Sequence, residues 1–305
     1  MDECMLTNKD GLTEEEFLKN YDADIFKRPS VTVDMLIFSV FDEEVKNYRK
    51  LPQKSLKLLL VKRKDHPYIK QWALPGGFVA INESLDEAAK RELKSETNID
   101  NIYMEQLYTW GDVDRDPRTR VISASYMALV DRTLLDIKAG DDAEDALWFD
   151  IKSRVIEEKK INCEKGYTIE KVVDINISNK EITLGVKVKV IEIFEGRVVK
   201  VERDIIESKG IAFDHAKIIE YALERLKNKI EYTDIAFNLM PELFTLSELQ
   251  QVYEIILDKE LLAAAFRRKV AEMVIETDHF TKDAGHRPSK FYRFNPLWRN
   301  GKDNL

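Results

Sequence analysis

Residues 77–99 read GFVAINESLDEAAKRELKSETNI and follow Leu74-Pro75-Gly76. Leu85, Ala88, Ala89 and Leu93 recur at helical spacing, so 83–97 is expected to form a helix with one apolar face. Glu92 and Glu96 stand four apart and project from one side of that helix, with Ser95 beside them at i+3. Pro75, Gly76 and Gly77 punctuate the chain ahead of it, and a Gly pair admits a close backbone approach that a Cβ would block. Asn98 follows the helix, and asparagine tolerates the left-handed conformation in which helices often end. Any two of these charges could belong to an ordinary solvent-facing helix. The whole set, held in register over residues 77–99 in a strand–loop–helix context, points to a built site.

The stretch resembles the Nudix box, G-x5-E-x7-R-E-U-x-E-E-x-G-U with U aliphatic. Gly77, Glu83, Arg91, Glu92, Leu93, Glu96 and Ile99 fall in register, whereas Ser95 stands in place of a Glu and Asn98 in place of a Gly. The resemblance implies an α/β class (α+β) fold: an α/β/α sandwich around a mixed sheet. It also implies a site that holds the diphosphate of a nucleoside-diphosphate compound through Mg²⁺ or Mn²⁺. A diphosphate repels bare carboxylates, whereas a hard cation bound by oxygen ligands inverts the local charge and activates a water. Glu92 and Glu96 are the implied metal ligands, with the Gly76 carbonyl beside them. Arg91 and Glu83 are the implied orienting partners. A serine hydroxyl at 95 is a poorer ligand than a carboxylate, so the resemblance implies a weakened catalytic cluster.

Outward from the box, VTVDMLIFSV (31–40), LKLLLVKR (56–63), MEQLYTW (104–110) and VISASYMALV (121–130) read as strands, and ALWFDI ends the block near residue 151. DHPYIKQWALPGGF (65–78) reads as a turn-rich approach to the helix. FKRPSVTVDMLIF, KRKDHPYIKQWALPGGFV and EQLYTWGDVDRDPRTRVISASYMALV are similar to the ADP-ribose-handling branch of the Nudix superfamily. In that branch a GDxxRDPR-type loop shapes the ligand pocket. The matching residues are Gly111, Asp112, Arg115, Asp116, Pro117 and Arg118. With Gly76 and Gly77, one of Arg115, Arg118 or Arg120 is the candidate for a bidentate grip on phosphate. The alternative is a solvated turn in which these arginines pair with the loop aspartates.

Residues 152–210 read differently: the segment EITLGVKVKVIEIFEG alternates apolar and charged side chains, and RVVKVERDII follows it. An inserted antiparallel hairpin or small extra sheet, solvated on one face, is expected there. It would pack on a neighbouring element or a second subunit. From 211 the period changes to 3.6. DHAKIIEYALERLKNKI is a helix, and TLSELQQVYEIIL opens on the capping box Thr245–Glu248. AAAFRRKVAEM is a further helix, and VIETDHF and SKFYRF are short strands. This tail resembles the winged helix-turn-helix of Nudix-related transcriptional regulators. The expected division is a Nudix domain at 1–210 and a winged helix DNA-binding domain at 211–305. Residues 262–305 hold nine Lys/Arg against five Asp/Glu, a local basic footprint. Arg267, Arg268 and Lys269 from the second helix, and Arg287, Lys290 and Arg293 from the wing, are the candidate contacts to double-stranded DNA. Phe266, Tyr292 and Phe294 are expected in the core. Winged helices also serve as protein–protein modules, which is the competing reading of this tail.

The 305 residues carry a formal charge of −8 and are 44% hydrophobic, which excludes a general nucleic-acid coat and gives ample core. Cys4 and Cys163 form no disulfide framework, and His66, His215, His279 and His286 do not pair at metal-ligand spacing. No apolar run is long enough for a signal sequence or a membrane span, so a cytoplasmic protein is expected. Two functions follow. One is a regulator, implied to be a homodimer, that binds ADP-ribose or a related nucleotide or sugar-phosphate and DNA, with residual hydrolysis. The other is an active Nudix hydrolase that cuts the diphosphate of ADP-ribose or another nucleoside diphosphate derivative to AMP and a sugar phosphate. A scaffold with a dead Nudix fold is the third class.

Overall fold

The computed structural model describes residues 6–43, 52–100, 102–135, 146–281 and 288–301. A short helix α1 (Glu14–Asn20) leads into β1 (Ser30–Asp42), β2 (Lys54–Lys62), β3 (Trp72–Ala73), β4 (Gly76–Phe78) and helix α2 (Leu85–Thr97). Strands β5 (Tyr103–Trp110), β6 (Val121–Val130), β7 (Ala146–Cys163), β8 (Gly166–Ser178), β9 (Thr183–Glu195) and β10 (Val198–Lys209) follow. They form one mixed sheet in the order β10-β9-β8-β7-β2-β1-β6-β5, with β3 on β2 and β4 on β1. Strands β1 and β6 pair in parallel, over Ser30–Ser39 and Val121–Val130.

Alternation along β1 builds the sandwich. Val33, Met35 and Ile37 face one way and pack with Ala88, Ala89 and Leu93 of α2. Leu36, Phe38 and Val40 face the other way and join a second core with Leu58, Leu60 and Phe149. Helix α3 (His215–Ile230) covers that second face through Ile218, Ile219, Leu223 and Leu226. Fully burying each such side chain is worth about 1.5–3 kcal/mol, so α3 is firmly seated.

Strand β7 runs unbroken through residue 151, where the apolar pattern ends. Residues 152–210 are therefore a continuation of the main sheet rather than a separate small one. Hydrogen bonding to β8 carries the strand on through the polar run 152–163. Ile175, Ile177, Val186, Val188 and Val190 supply the apolar face of this four-stranded arm. Ion pairs between neighbouring strands, Lys171–Glu192, Lys189–Glu170 and Lys187–Glu207, line it elsewhere. The approach to the box also differs from expectation, because the Trp72–Phe78 turn region holds the two short strands β3 and β4.

The tail is a winged helix. It consists of β11 (Phe244–Thr245), α4 (Leu246–Leu257), α5 (Ala263–Val270), β12 (Val274–Phe280) and β13 (Lys290–Phe294), with sheet order β11-β13-β12. Thr245 caps α4 and Glu248 reciprocates, as the capping box requires. Asp258 ends α4 in the left-handed region at φ 53°. Leu249, Val252, Tyr253 and Phe266 belong to the same core cluster as Phe38, Leu58 and α3. The winged helix thus shares its core with the second face of the sheet, and α3 belongs to both.

Candidate functional site: a three-arginine cavity beside the box helix

Ser84 caps α2 and Glu87 returns the bond. At the other end Asn98 takes φ 55° and donates its N–H to the Lys94 carbonyl, so the departure from Gly leaves the helix end intact. Arg91 is the hub of the box. Its Nε and Nη2 donate to the two Glu83 oxygens at 3.0 and 2.7 Å, and Nη1 donates to Glu92 Oε1 at 2.5 Å. Glu83 also accepts the Ala80 N–H at 2.8 Å. The Arg91 bond first, and that backbone bond second, hold the Glu83 carboxyl down at about 2. Any Cβ at Gly77 would collide with Glu92 Oε1, so glycine there lets the carboxylate lie against the β4 backbone. Gly76 lies opposite Asp34 in the β1–β4 ladder, and a Cβ there would collide with the Val33 carbonyl. Glu96 is half-buried, and burial followed by the Glu92 charge pushes its carboxyl up. Ser95 is exposed. Among the described residues no group of three or more His, Cys, Asp or Glu side chains is arranged to hold a metal ion. Glu92 and Glu96 are the pair the helix brings together, while Glu83 is committed to Arg91.

Next to the box lies a cavity of about 210 Å³, lined in part by Asp34, Gly76, Gly77, Phe78, Asp116 and Arg118. The three candidate phosphate arginines divide sharply. Arg115 lines the cavity wall, but its side chain is 5% exposed and forks onto Asp214 at 2.9 and 2.7 Å, with Asp34 at 3.3 Å. Arg120 latches the loop by donating to the Gly111 and Asp112 carbonyls at 2.8 and 2.9 Å. Arg118 pairs with Asp116 at 3.0 and 2.7 Å yet keeps 44% of its side chain exposed at the cavity. Both Arg115 and Arg118 line the cavity, but the Arg115 guanidinium is engaged by Asp214 and Asp34, whereas Arg118 keeps an exposed side chain there.

The sequence reading missed a further arginine of the cavity, Arg63. Arg63 donates to the Pro67 carbonyl at 2.7 Å and lies 4.8 Å from the Phe213 ring, with Arg118 on the same ring at 5.9 Å. Burial first, and the charge of Arg118 second, push Arg63 below its usual value. Two guanidinium groups thus share one aromatic ring at a cavity mouth, an arrangement that favours an anion with π faces nearby. Phe213 and His215 come from the start of α3, 99 residues beyond the loop in the case of the Arg115–Asp214 pair. No local periodicity marks them, because they act across the fold.

A family model described as the NUDIX domain matches residues 37–168, and one described as the NrtR DNA-binding winged helix domain matches residues 236–294. The ADPR responsive transcriptional repressor NtrR of Acinetobacter baylyi is 32% identical over 286 residues, which span 92% of this chain and 88% of that protein. The chain belongs to the NrtR family. The crystal structure of the Shewanella oneidensis NrtR complexed with a 27mer DNA matches with a TM-score of 0.57 and 26% identity, over 88% of this chain and 95% of that one. A MutT/nudix family protein from Enterococcus faecalis matches with a TM-score of 0.62 and 26% identity, over 93% and 94% of the two chains. The ADP-ribose pyrophosphatase of Methanocaldococcus jannaschii is 37% identical over 129 residues, 42% of this chain and 66% of that protein. The NrtR winged-helix match covers α4, α5 and the wing. There Arg267 and Arg268 are exposed on α5, beside exposed Ala263–Ala265, while Phe266 and Val270 are buried. Lys269 is exposed as well, but its Nζ lies 5.0 Å from the Tyr253 ring, and partial burial of the ammonium holds it below its usual value. On the wing Lys290 donates to Glu276 at 2.6 Å, Arg293 is exposed, and Arg287 lies outside the described residues. Tyr292 and Phe294 are partly buried. Among the described residues no helix is long and apolar enough to cross a membrane.

His215 gives this cavity a pH signature. Its Nδ1 accepts the Leu74 N–H at 2.9 Å, and Nε2 faces Asp34 at 3.6 Å. Burial outweighs the pull of Asp34 and Asp214, and pushes the imidazole below its ordinary 6.5. The unfolded chain therefore binds the proton first. The His215 contribution to stability is complete above about pH 6.5 and is lost as pH falls below it. Thermal melts between pH 7.5 and 5.5 are expected to fall less steeply in His215→Gln, whose amide oxygen can accept the same N–H. Parallel pH curves for the two proteins would remove His215 as the source.

Proposed function

We propose that this chain is a transcriptional regulator that binds ADP-ribose, or a related nucleotide or sugar-phosphate, in the Nudix cavity and binds double-stranded DNA through α5 and the wing. The observation that carries the reading is the shared core: the helix that walls the cavity also packs against the winged helix. We take Arg118 and Arg63 as the grip on the diphosphate. Arg267, Arg268 and Arg293 are the principal DNA contacts, with Lys290, Lys269 and Arg287 secondary. We divide the chain after Gly210, with α3 as the shared element. Two-fold operator half-sites favour a homodimer.

Glu92 and Glu96 fit a divalent cation. Mg²⁺ keeps several waters and needs only one or two carboxylates when phosphate oxygens complete the shell. Burial first, and the Glu92 charge second, raise Glu96, and a cation there would relieve the second of these. When bound, the ion supplies charge neutralisation and an acidified water. The Gly76 carbonyl completes the proposed protein ligands, while Arg91 fixes the Glu92 and Glu83 carboxylates. Retention of that Glu83–Arg91–Glu92 network is the observation that favours the hydrolase reading as a second activity. Serine at 95 counts against rapid turnover.

The test is ADP-ribose with Mg²⁺, followed by calorimetry for binding and by AMP release for chemistry, beside Glu92→Gln. We expect binding with little or no AMP release. AMP release that disappears in Glu92→Gln makes hydrolysis the primary activity, and absence of any binding removes ADP-ribose as the ligand.

A further inference from the structure

Phe213 is an anomaly in the connector between the arm and α3. Its backbone sits at φ 53°, a region that a bulky aromatic residue rarely enters. Both sides of it are pinned. Trp72 N–H donates to the Gly210 carbonyl and Ala212 N–H to the Trp72 carbonyl, each at 2.8 Å. Asp214 is clamped by Arg115, and His215 accepts from Leu74. Ala212, Asp214 and His215 are buried, whereas Phe213 keeps a partly open face at the cavity. Its ring packs on Tyr68 at 4.8 Å and is flanked by the Arg63 and Arg118 guanidiniums.

We propose that Phe213 is the residue through which the cavity's occupancy is passed to the DNA-binding module. This rests on the reading of the cavity as a nucleoside-diphosphate site. Without ligand, the two guanidiniums and Tyr68 hold the ring against the preference of its own backbone. A diphosphate competes for those guanidiniums, because a bidentate ionic contact outweighs a cation–π contact. Once they turn to the anion, the ring loses both cations while keeping its contacts with Tyr68 and His215, and the backbone gains by leaving the left-handed region. Asp214 is the next residue and opens α3, so a change at 213 moves the start of that helix. Ile219, Leu223 and Leu226 pass the movement to the core that holds Leu249, Val252 and Tyr253. The connector thus has two arrangements with unequal affinity for the ligand, which coupling requires.

The experiment uses the full chain and a fluorescent duplex selected from a random-sequence pool by the wild-type protein. DNA affinity is measured by anisotropy without ADP-ribose and at a concentration shown by calorimetry to saturate each variant. The readout is the ratio of the two DNA dissociation constants. Wild type is expected to give a ratio at least tenfold from one, F213A a ratio within threefold of one, and F213Y a ratio like wild type. General damage to the fold changes both constants together and leaves the ratio unmoved. If F213A does not fold, F213L keeps apolar bulk without a π face and carries the same expectation. A wild-type ratio in F213A overturns the proposal, as does an F213A protein that no longer binds ADP-ribose, since the ring would then be a ligand contact alone. A wild-type protein that binds ADP-ribose without any change in DNA affinity overturns it together with the regulator reading.

Discussion

Replacing Arg267 and Arg268 together by alanine is expected to lower affinity for a selected duplex by roughly 100-fold or more while leaving ADP-ribose binding unchanged. Helix α5 offers solvent a face made of these two guanidiniums and of Ala263, Ala264 and Ala265, small enough to let the helix lie deep in a groove. Phe266 and Val270 anchor the opposite face. Removing two exposed arginines from it costs little folding energy, because surface changes of this kind stay within about 0.5 kcal/mol. Each lost base or phosphate contact costs about 1–3 kcal/mol of binding, and about 1.4 kcal/mol is a factor of ten. The salt dependence separates the two kinds of contact. If both arginines meet phosphate, the slope of log K against log salt should shrink by about 1.8, at about 0.9 per phosphate. Anisotropy titrations at several salt concentrations check both numbers. Retained affinity with an unchanged slope would show that α5 does not face DNA.

Lys269 is expected to contribute less than its neighbours, although the three residues are consecutive in the sequence. Helical rotation turns it toward Tyr253, where its ammonium is partly desolvated. That difference illustrates what the sequence could and could not supply. Helix α2 was legible because its information is local: apolar spacing, the Glu92–Glu96 relation and an asparagine suited to φ 55° all lie within one stretch. The Thr245–Glu248 cap was legible for the same reason. Strand β7 beyond residue 151 was not, since KSRVIEEKKINC has no clean alternation and is strand only through its ladder to β8. The arginines of the GDVDRDPR loop were legible as a group but not as individuals. The two guanidiniums of that loop, and Arg120 just after it, look alike until the fold brings Asp214 to Arg115 and leaves Arg118 exposed at the cavity. Arg63 and Phe213 reach the same cavity from two further places in the chain, so no window of sequence contains them together.

The division among those arginines can be decided by stability as well as by binding. Arg115→Ala is expected to destabilise the protein by about 3–5 kcal/mol, because it removes one partner of a buried charge cluster and leaves the others uncompensated. The cluster is well shielded, with Asp34 and Asp214 side chains 11% and 9% exposed against 5% for Arg115, so solvent screening offers little relief. Ser123 donates to Asp34 at 2.6 Å, but among the described residues no second cation replaces the fork onto Asp214. Arg115→Lys should recover only part of the loss, since a point-like ammonium cannot make two parallel bonds to Asp214 and still reach Asp34. Arg118→Ala should behave in the opposite way, with a small change in stability and a clear loss of ADP-ribose affinity, because its guanidinium is half open to the cavity. Urea titrations paired with calorimetry on the three variants make the comparison. If Arg115→Ala instead keeps its stability and loses ADP-ribose, the buried clamp is wrong and Arg115 returns to the ligand site. If both alanine variants lose stability alike, the loop acts as one structural unit and the phosphate grip must be sought at Arg63.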